Sequence, residues 1–302
     1  MHFIQFILAF LILLHLPSCT HKELCTDHSH VMEVDVRFDW SAVPDAAPET
    51  MSLYLFPLDG GKSQRYEFTD FRGGRIRVKA GEYQAICLNS DTRNLRLEDI
   101  DRYEMFRITT KDSDMILQAK GIDDERVAVG PEPVWTDNMD HILLDETGEA
   151  VRMAPDRAYI DVSIEIVNVE NIEYACYVIG ALTSMSEGYH PGADELSEQN
   201  VTIPFELSVS DDKPVISGSL RTFGECPVWK NRHFVTIYAT MTDNTNVAYT
   251  YDVTDQVHNM GESGEIVIKI DELPLPEPER KEDGGFQPDV GEWSTIEIGI
   301  NM

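Results

Sequence analysis

The chain has 302 residues, 42% hydrophobic and 9% aromatic, and its 54 acids outnumber 24 bases to give a formal charge of −30. This length exceeds a single small core and fits about two packed domains rather than a disordered acidic tail. Such a surface repels phosphate backbones and anionic lipid heads, which argues against nucleic-acid partners and leaves covalent or hydrophobic routes to a membrane.

The first element is the apolar run from Phe3 to Leu16, FIQFILAFLILLHL. It is shorter than the roughly 20 residues of a spanning helix and suits a signal-peptide core, which a mature protein loses. Leu16-Pro17-Ser18-Cys19 then resembles the lipobox of bacterial lipoproteins. The resemblance implies a signal peptide over residues 1–18 and acylation of Cys19, each buried methylene contributing about 0.8 kcal/mol to membrane attachment. A plain secretory signal with Cys19 uninvolved is the other reading. Thr20-His21-Lys22-Glu23 is similar to short charged stretches that send some Bacteroidales lipoproteins to the outer face.

Residues 19–30 read as a tether. Within it Cys25, Asp27, His28 and His30 form the densest group of metal-capable side chains, and in a strand His28 and His30 would share one face. No third ligand from elsewhere is identifiable, so a solvated tether stands beside the metal reading. Cys25, Cys87, Cys176 and Cys226 are widely spaced without a C-x-x-C pair. Four cysteines in an exported chain allow three pairings, and none is assigned. Cys87 and Cys176 lie in apolar, strand-like runs that suit buried thiols.

From Val31 the period is two: Met32, Val34, Val36, Phe38 and Trp40 alternate with Glu33, Asp35, Arg37 and Asp39. That is a half-buried strand. Further strands are expected at MSLYLFP, QRYEFTDF, RIRV, EYQAICLN, FRITT and DMILQAK, divided by Gly, Pro and Asp turns. DTRNLRLEDIDRYE breaks the alternation and reads as a long loop or one helical turn. Gly121 to Pro155 is rich in acids, Pro and Gly, so the domain boundary is placed near Pro155. The expected domains are 31–154 and 155–302.

The second half repeats the pattern in AYIDVSIEIVNV, EYACYVIGALTSM, VTIPFELSV, PVISGSLRTF, HFVTIYATM, VAYTYDV and EIVIKI. A proline-charged spacer, LPLPEPERKEDGGFQPD, precedes a last strand in WSTIEIGINM. The chain is expected to be all-β.

Catalytic signatures such as G-x-S-x-G, G-x-x-x-x-G-K-[ST] and H-E-x-x-H are missing, so no catalytic residue is assigned. His190 in EGYHPGADE reads as a surface-loop histidine. Asp137-Asn138-Met139-Asp140 and Asp243-Asn244-Thr245-Asn246 offer oxygen ligands for Ca²⁺, the one cofactor considered, but neither continues as an EF-hand. Both read as turns. Trp40, Trp135, Trp229 and Trp293 would stack on sugars if exposed, and Trp135 and Trp229, each after Pro-Val, are the ones expected at the surface.

Taken together, the lipobox, HKELCTDHSHV, VRFDW, SLYLFP, GEYQAICLNSD and GGFQPDVGEWSTIEI resemble a family of Bacteroides-type lipoproteins similar to minor and anchor subunits of Bacteroidales fimbriae. The resemblance implies two tandem transthyretin-like β-sandwich domains and an outer-membrane, lipid-anchored, non-catalytic role at the base of a fimbrium. It also implies fimbrial subunits as partners through strand addition, whose physical basis is an open sheet edge. Polymerising subunits of that system are trimmed after a basic residue. Here the first Arg is Arg37, inside the first expected strand, and only Lys22 precedes it. The chain is therefore expected to stay tethered. A surface glycan-binding lipoprotein, suggested by the aromatics and acidic loops, is the alternative.

Overall fold

The computed structural model describes residues 31–115, 125–145, 148–210, 214–228, 232–259, 265–278 and 294–297. The signal run, Cys19, Cys25, Asp27, His28, His30, Trp229, Trp293 and most of DMILQAK lie outside them. The chain is nearly all β. The one α-helix among the described residues, α1, is Thr254–His258.

The first half packs a three-stranded sheet on a five-stranded one. The smaller sheet runs β10 (Val151–Met153), β1 (Val31–Phe38), β4 (Gly73–Lys79). The larger runs β11 (Asp156–Arg157), β9 (Trp135–Leu144), β5 (Gly81–Asn89), β2 (Met51–Pro57), β3 (Gln64–Phe68). The alternation in β1 does its expected work: Val34, Val36 and Phe38 enter a core with Leu53, Leu55 and Ala85 of the facing sheet. In β2, however, Met51 through Phe56 are all buried. The reason is a third layer. Tyr54, Phe56, Ile86 and Leu88, on the far face of β2 and β5, pack against Phe106 and Ile108.

That third layer is a four-stranded sheet in the order β15 (Glu195–Leu196), β14 (Gly188–His190), β7 (Arg107–Thr110), β6 (Leu95–Glu98). It draws on both halves of the chain. The stretch that reads as a long loop or one helical turn ends in a 3₁₀ turn, Tyr103–Met105, but also holds β6, and the loop around His190 holds a short hairpin. The acid- and Gly-rich stretch before Pro155 likewise contains β8 (Arg126–Val127), β9 and β10. Strand β9 is not legible in the sequence because WTDNMDHILL has no clean apolar alternation; its pairing along β5 stabilises it instead.

The second half is a nine-stranded sheet folded over one core. Its order is β20 (Glu265–Pro274), β12 (Ile160–Glu170), β17 (Ile216–Thr222), β16 (Asn200–Val209), β13 (Ala175–Ser186), β18 (Phe234–Met241), β19 (Asn246–Asp252), β21 (Ser294–Glu297), with β8 beside β16. Strand β16 turns the corner. Its residues Asn200–Glu206 pair with β13 and Leu207–Val209 with β17. Between the two resulting layers lie Ile164, Ile166 and Ile268 from one side and Leu182, Ile237 and Tyr249 from the other. This is sandwich packing, alternate residues inward and their neighbours outward.

The halves interlock through residues 125–128. Val201 and Thr202 of β16 pair with Arg126 and Val127 of β8, and Ala128 is buried in the second core. The Glu125 carboxylate accepts hydrogen bonds from the Ser184 N–H (3.0 Å), the Ser184 hydroxyl (3.0 Å) and the Thr202 hydroxyl (2.8 Å). Arg126 pairs with Asp112 at 2.7 Å and with Glu187 at 3.1 Å. Arg126 and Glu187 are largely shielded from water while Asp112 is exposed, so the Arg126–Glu187 contact is the less screened of the two ion pairs.

Candidate functional site

The residues singled out in the sequence do not converge. His190 ends β14, half-buried beside a surface groove with Glu104 and Glu195. Asp137 accepts the N–H of Asn138 at 2.9 Å and of Ala154 at 2.7 Å, and Asp140 accepts the Tyr103 hydroxyl at 2.9 Å. These carboxylates lie on β9, not in a turn. Asp243 does sit in a turn, where it accepts the Thr245 N–H at 2.9 Å and Asn244 is left-handed (φ 66°). Cys87 is buried and burial pushes its thiol pKa well up; Cys226 is also buried. Cys176, expected inside, is exposed. It sits at a register irregularity against β18, between Ala175 and Tyr177 near the start of β13, where Cys176 and Tyr177 are both exposed.

Trp135 is not a free surface ring either. It opens β9 and stands edge-on to Trp40 (centroids 6.2 Å apart) and to Tyr159 (6.1 Å), while Trp40 also meets Phe71. The Tyr159 ring lies beneath the guanidinium groups of Arg157 and Arg221. The row is half-buried, and edge-on stacking leaves little flat face for a sugar ring.

A second group was not visible in the sequence at all: Glu225, His233 and His258, whose ligand-capable atoms lie within 4.8 Å of one another. Glu225 follows β17, His233 immediately precedes β18 and His258 closes α1, so separations of 8 and 25 residues carry no motif. The His233 N–H is held by the Thr254 hydroxyl at 3.0 Å, and the next N–H, of Phe234, by the Thr183 hydroxyl at 3.0 Å. Its ring is 1% exposed, and Nδ1 lies 3.2 Å from the Thr183 carbonyl. A carbonyl only accepts, so Nδ1 carries the hydrogen and Nε2 is left facing Glu225. Burial pushes the His233 pKa below its ordinary value and keeps the ring neutral at pH 7. Glu225 Oε2 stands 3.9 Å from His233 Nε2 and 3.2 Å from His258 Nε2, with the carboxylate and His258 half-exposed.

The sheet edges form the third feature. Strand β10 covers β1 only at Val36–Phe38, so the side of β1 away from β4 has no strand partner along Val31–Asp35 among the described residues. Strand β20, ten residues long, is treated differently. The Gln256 side chain of α1 accepts the Lys269 N–H at 2.7 Å and donates to the Lys269 carbonyl at 3.1 Å, which occupies backbone groups that another strand would seek. Among the described residues no helix is long and apolar enough to cross a membrane.

The model of a domain of unknown function, DUF5119, matches residues 18–206, more than half of the chain. The chain belongs to the DUF5119 family. This DUF5119 chain is 24% identical over 286 residues to a candidate fimbrium anchoring subunit, Fim4B, of Bacteroides ovatus, across 88% of this chain and 83% of that one. Among solved structures it is similar to a candidate adhesin from Bacteroides ovatus (TM-score 0.63, 21% identity, 86% of this chain and 99% of that chain). It is also similar to the fimbrial anchor protein Mfa2 from Porphyromonas gingivalis (TM-score 0.50, 12% identity, 80% of this chain and 91% of that chain). At these identities the structures show a shared fold. With the curated relative, they make the DUF5119 chain fimbrillin-like.

Proposed function

We propose that the protein is an outer-membrane lipoprotein, acylated at Cys19, that anchors or helps assemble a fimbrium and performs no catalysis. The observation that carries this reading is the likeness to the candidate anchoring subunit over 88% of the chain. The layout adds support. Only residues 20–30 separate Cys19 from β1, a short tether that would hold the folded body close to its lipid. Arg37 lies within β1, where its neighbours Val36 and Phe38 are core residues, so trimming there would remove a core strand. The two largest hydrophobic clusters support a pair of tandem, transthyretin-like sandwich units meeting near Pro155, joined by the segment around Ala128. The open stretch of β1 is suited to strand addition by a fimbrial subunit.

The test is recovery of the full-length lipoprotein from native membranes in mild detergent, with mass spectrometry of what accompanies it. Fimbrillin-like subunits should co-purify, and Cys19→Ala should move the protein from the membrane to the soluble fraction. Recovery of the protein alone would count against anchoring. A glycan-binding reading has one support of its own: the fold is similar to a candidate polysaccharide-binding protein from Bacteroides thetaiotaomicron (TM-score 0.51, 11% identity). Selective binding on a glycan array, with or without Ca²⁺, would favour it.

A further inference from the structure

We propose that Glu225, His233 and His258 form a binding site for one divalent cation of the zinc class. The argument starts from donor chemistry. Two imidazoles and a carboxylate are a borderline-soft set that suits Zn²⁺, and a fourth position is left for water. Hard cations such as Ca²⁺ and Mg²⁺ would instead require more oxygen ligands than these side chains supply.

Geometry supports the same assignment. Bonds of about 2.1 Å to a tetrahedral ion place its ligand atoms about 3.4 Å apart. Glu225 Oε2 and His258 Nε2 are 3.2 Å apart, and Glu225 Oε2 and His233 Nε2 are 3.9 Å apart. All three ligand atoms lie within 4.8 Å of one another, and the half-exposed Glu225 and His258 side chains can close onto an ion while His233 stays fixed. Its Nδ1–H bond to the Thr183 carbonyl is the outer contact that metal-bound imidazoles characteristically make, fixing the tautomer and aiming Nε2 at the ion. The solvent-facing Glu225 and His258 leave an entry path.

The site joins three separate elements: the segment after β17, the start of β18 and the end of α1. Because α1 also carries Gln256, which occupies the edge of β20, the bound ion fastens the cover on that edge. This role is independent of whether the protein anchors a fimbrium.

The test is zinc titration of the full chain carrying Cys25→Ser, His28→Gln and His30→Gln, which removes the other metal-capable cluster. Isothermal calorimetry should give one site. Glu225→Gln and His258→Ala, both at exposed positions that preserve the core, should each weaken zinc binding by more than about 10-fold, at least the loss that outer-contact changes cause. Co²⁺ in place of zinc should give visible absorption bands of a low-coordinate nitrogen–oxygen site. Absence of zinc binding, or a loss smaller than tenfold in either variant, overturns the assignment and leaves His258 and Glu225 as a simple ion pair.

Discussion

At the residue scale, single side chains account for how the layers meet. Gly188 pairs with Thr109 where β14 joins β7, and a Cβ there would fall 2.3 Å from the Ile108 carbonyl oxygen. Backbone cannot rotate aside as a side chain can, so the strands must separate. Gly188→Ala should therefore lower stability by about 1–3 kcal/mol, the usual cost of overpacking, read as a lower urea midpoint. An unchanged midpoint would mean that the four-stranded layer yields freely. In the sequence Gly188 falls in the stretch around His190 that reads as a surface loop, because the close approach comes from a strand some eighty residues away. The same distance effect hid Glu225, His233 and His258. Each looks ordinary in its own segment, and only the sheet order brings them together.

At the element scale, the strands of the second sandwich were legible because alternating Ile and Val residues state both the strand and its buried face, as in β12 and β20. What alternation does not show is how an edge is protected. Strand β20 ends in left-handed Glu272 (φ 72°) and Pro274, and Gln256 covers its middle. Gln256→Ala removes two side-chain hydrogen bonds to Lys269, each with a net contribution of about 1 kcal/mol at most where water can replace it. The variant should lose a little stability and self-associate more at equal concentration, because the freed edge can recruit another strand. Sedimentation velocity reads the outcome directly; an unchanged monomer fraction would show that Pro274 and the outward charges suffice. Strand β9 marks the opposite limit of the sequence. Its mixed polar pattern gave no period, and pairing to β5 decided it.

At the scale of the whole molecule, burial leaves a pH signature. Burial raises the pKa of Tyr54, Tyr103, Tyr189, Tyr249 and Tyr251, and pushes Tyr238 up to about 12. The folded chain then keeps phenolic protons that the unfolded chain releases above roughly pH 10. Stability from these groups is complete below that value and is lost as the pH rises from about 10 towards 12. Urea midpoints should fall steeply over that interval, and phenolate absorbance at 295 nm should rise together with unfolding. A smooth titration at pH 10 with no loss of structure would contradict the burial assigned here. Composition and period by themselves determined the all-β class, most strand positions and the acidic surface, because each depends on neighbours in the chain. Tertiary structure alone decided the third layer, the interlock around Ala128, the exposed Cys176 and the Glu225–His233–His258 cluster. Each depends on which distant strands pair, and pairing is fixed by burial and hydrogen bonding over the whole fold rather than by local sequence.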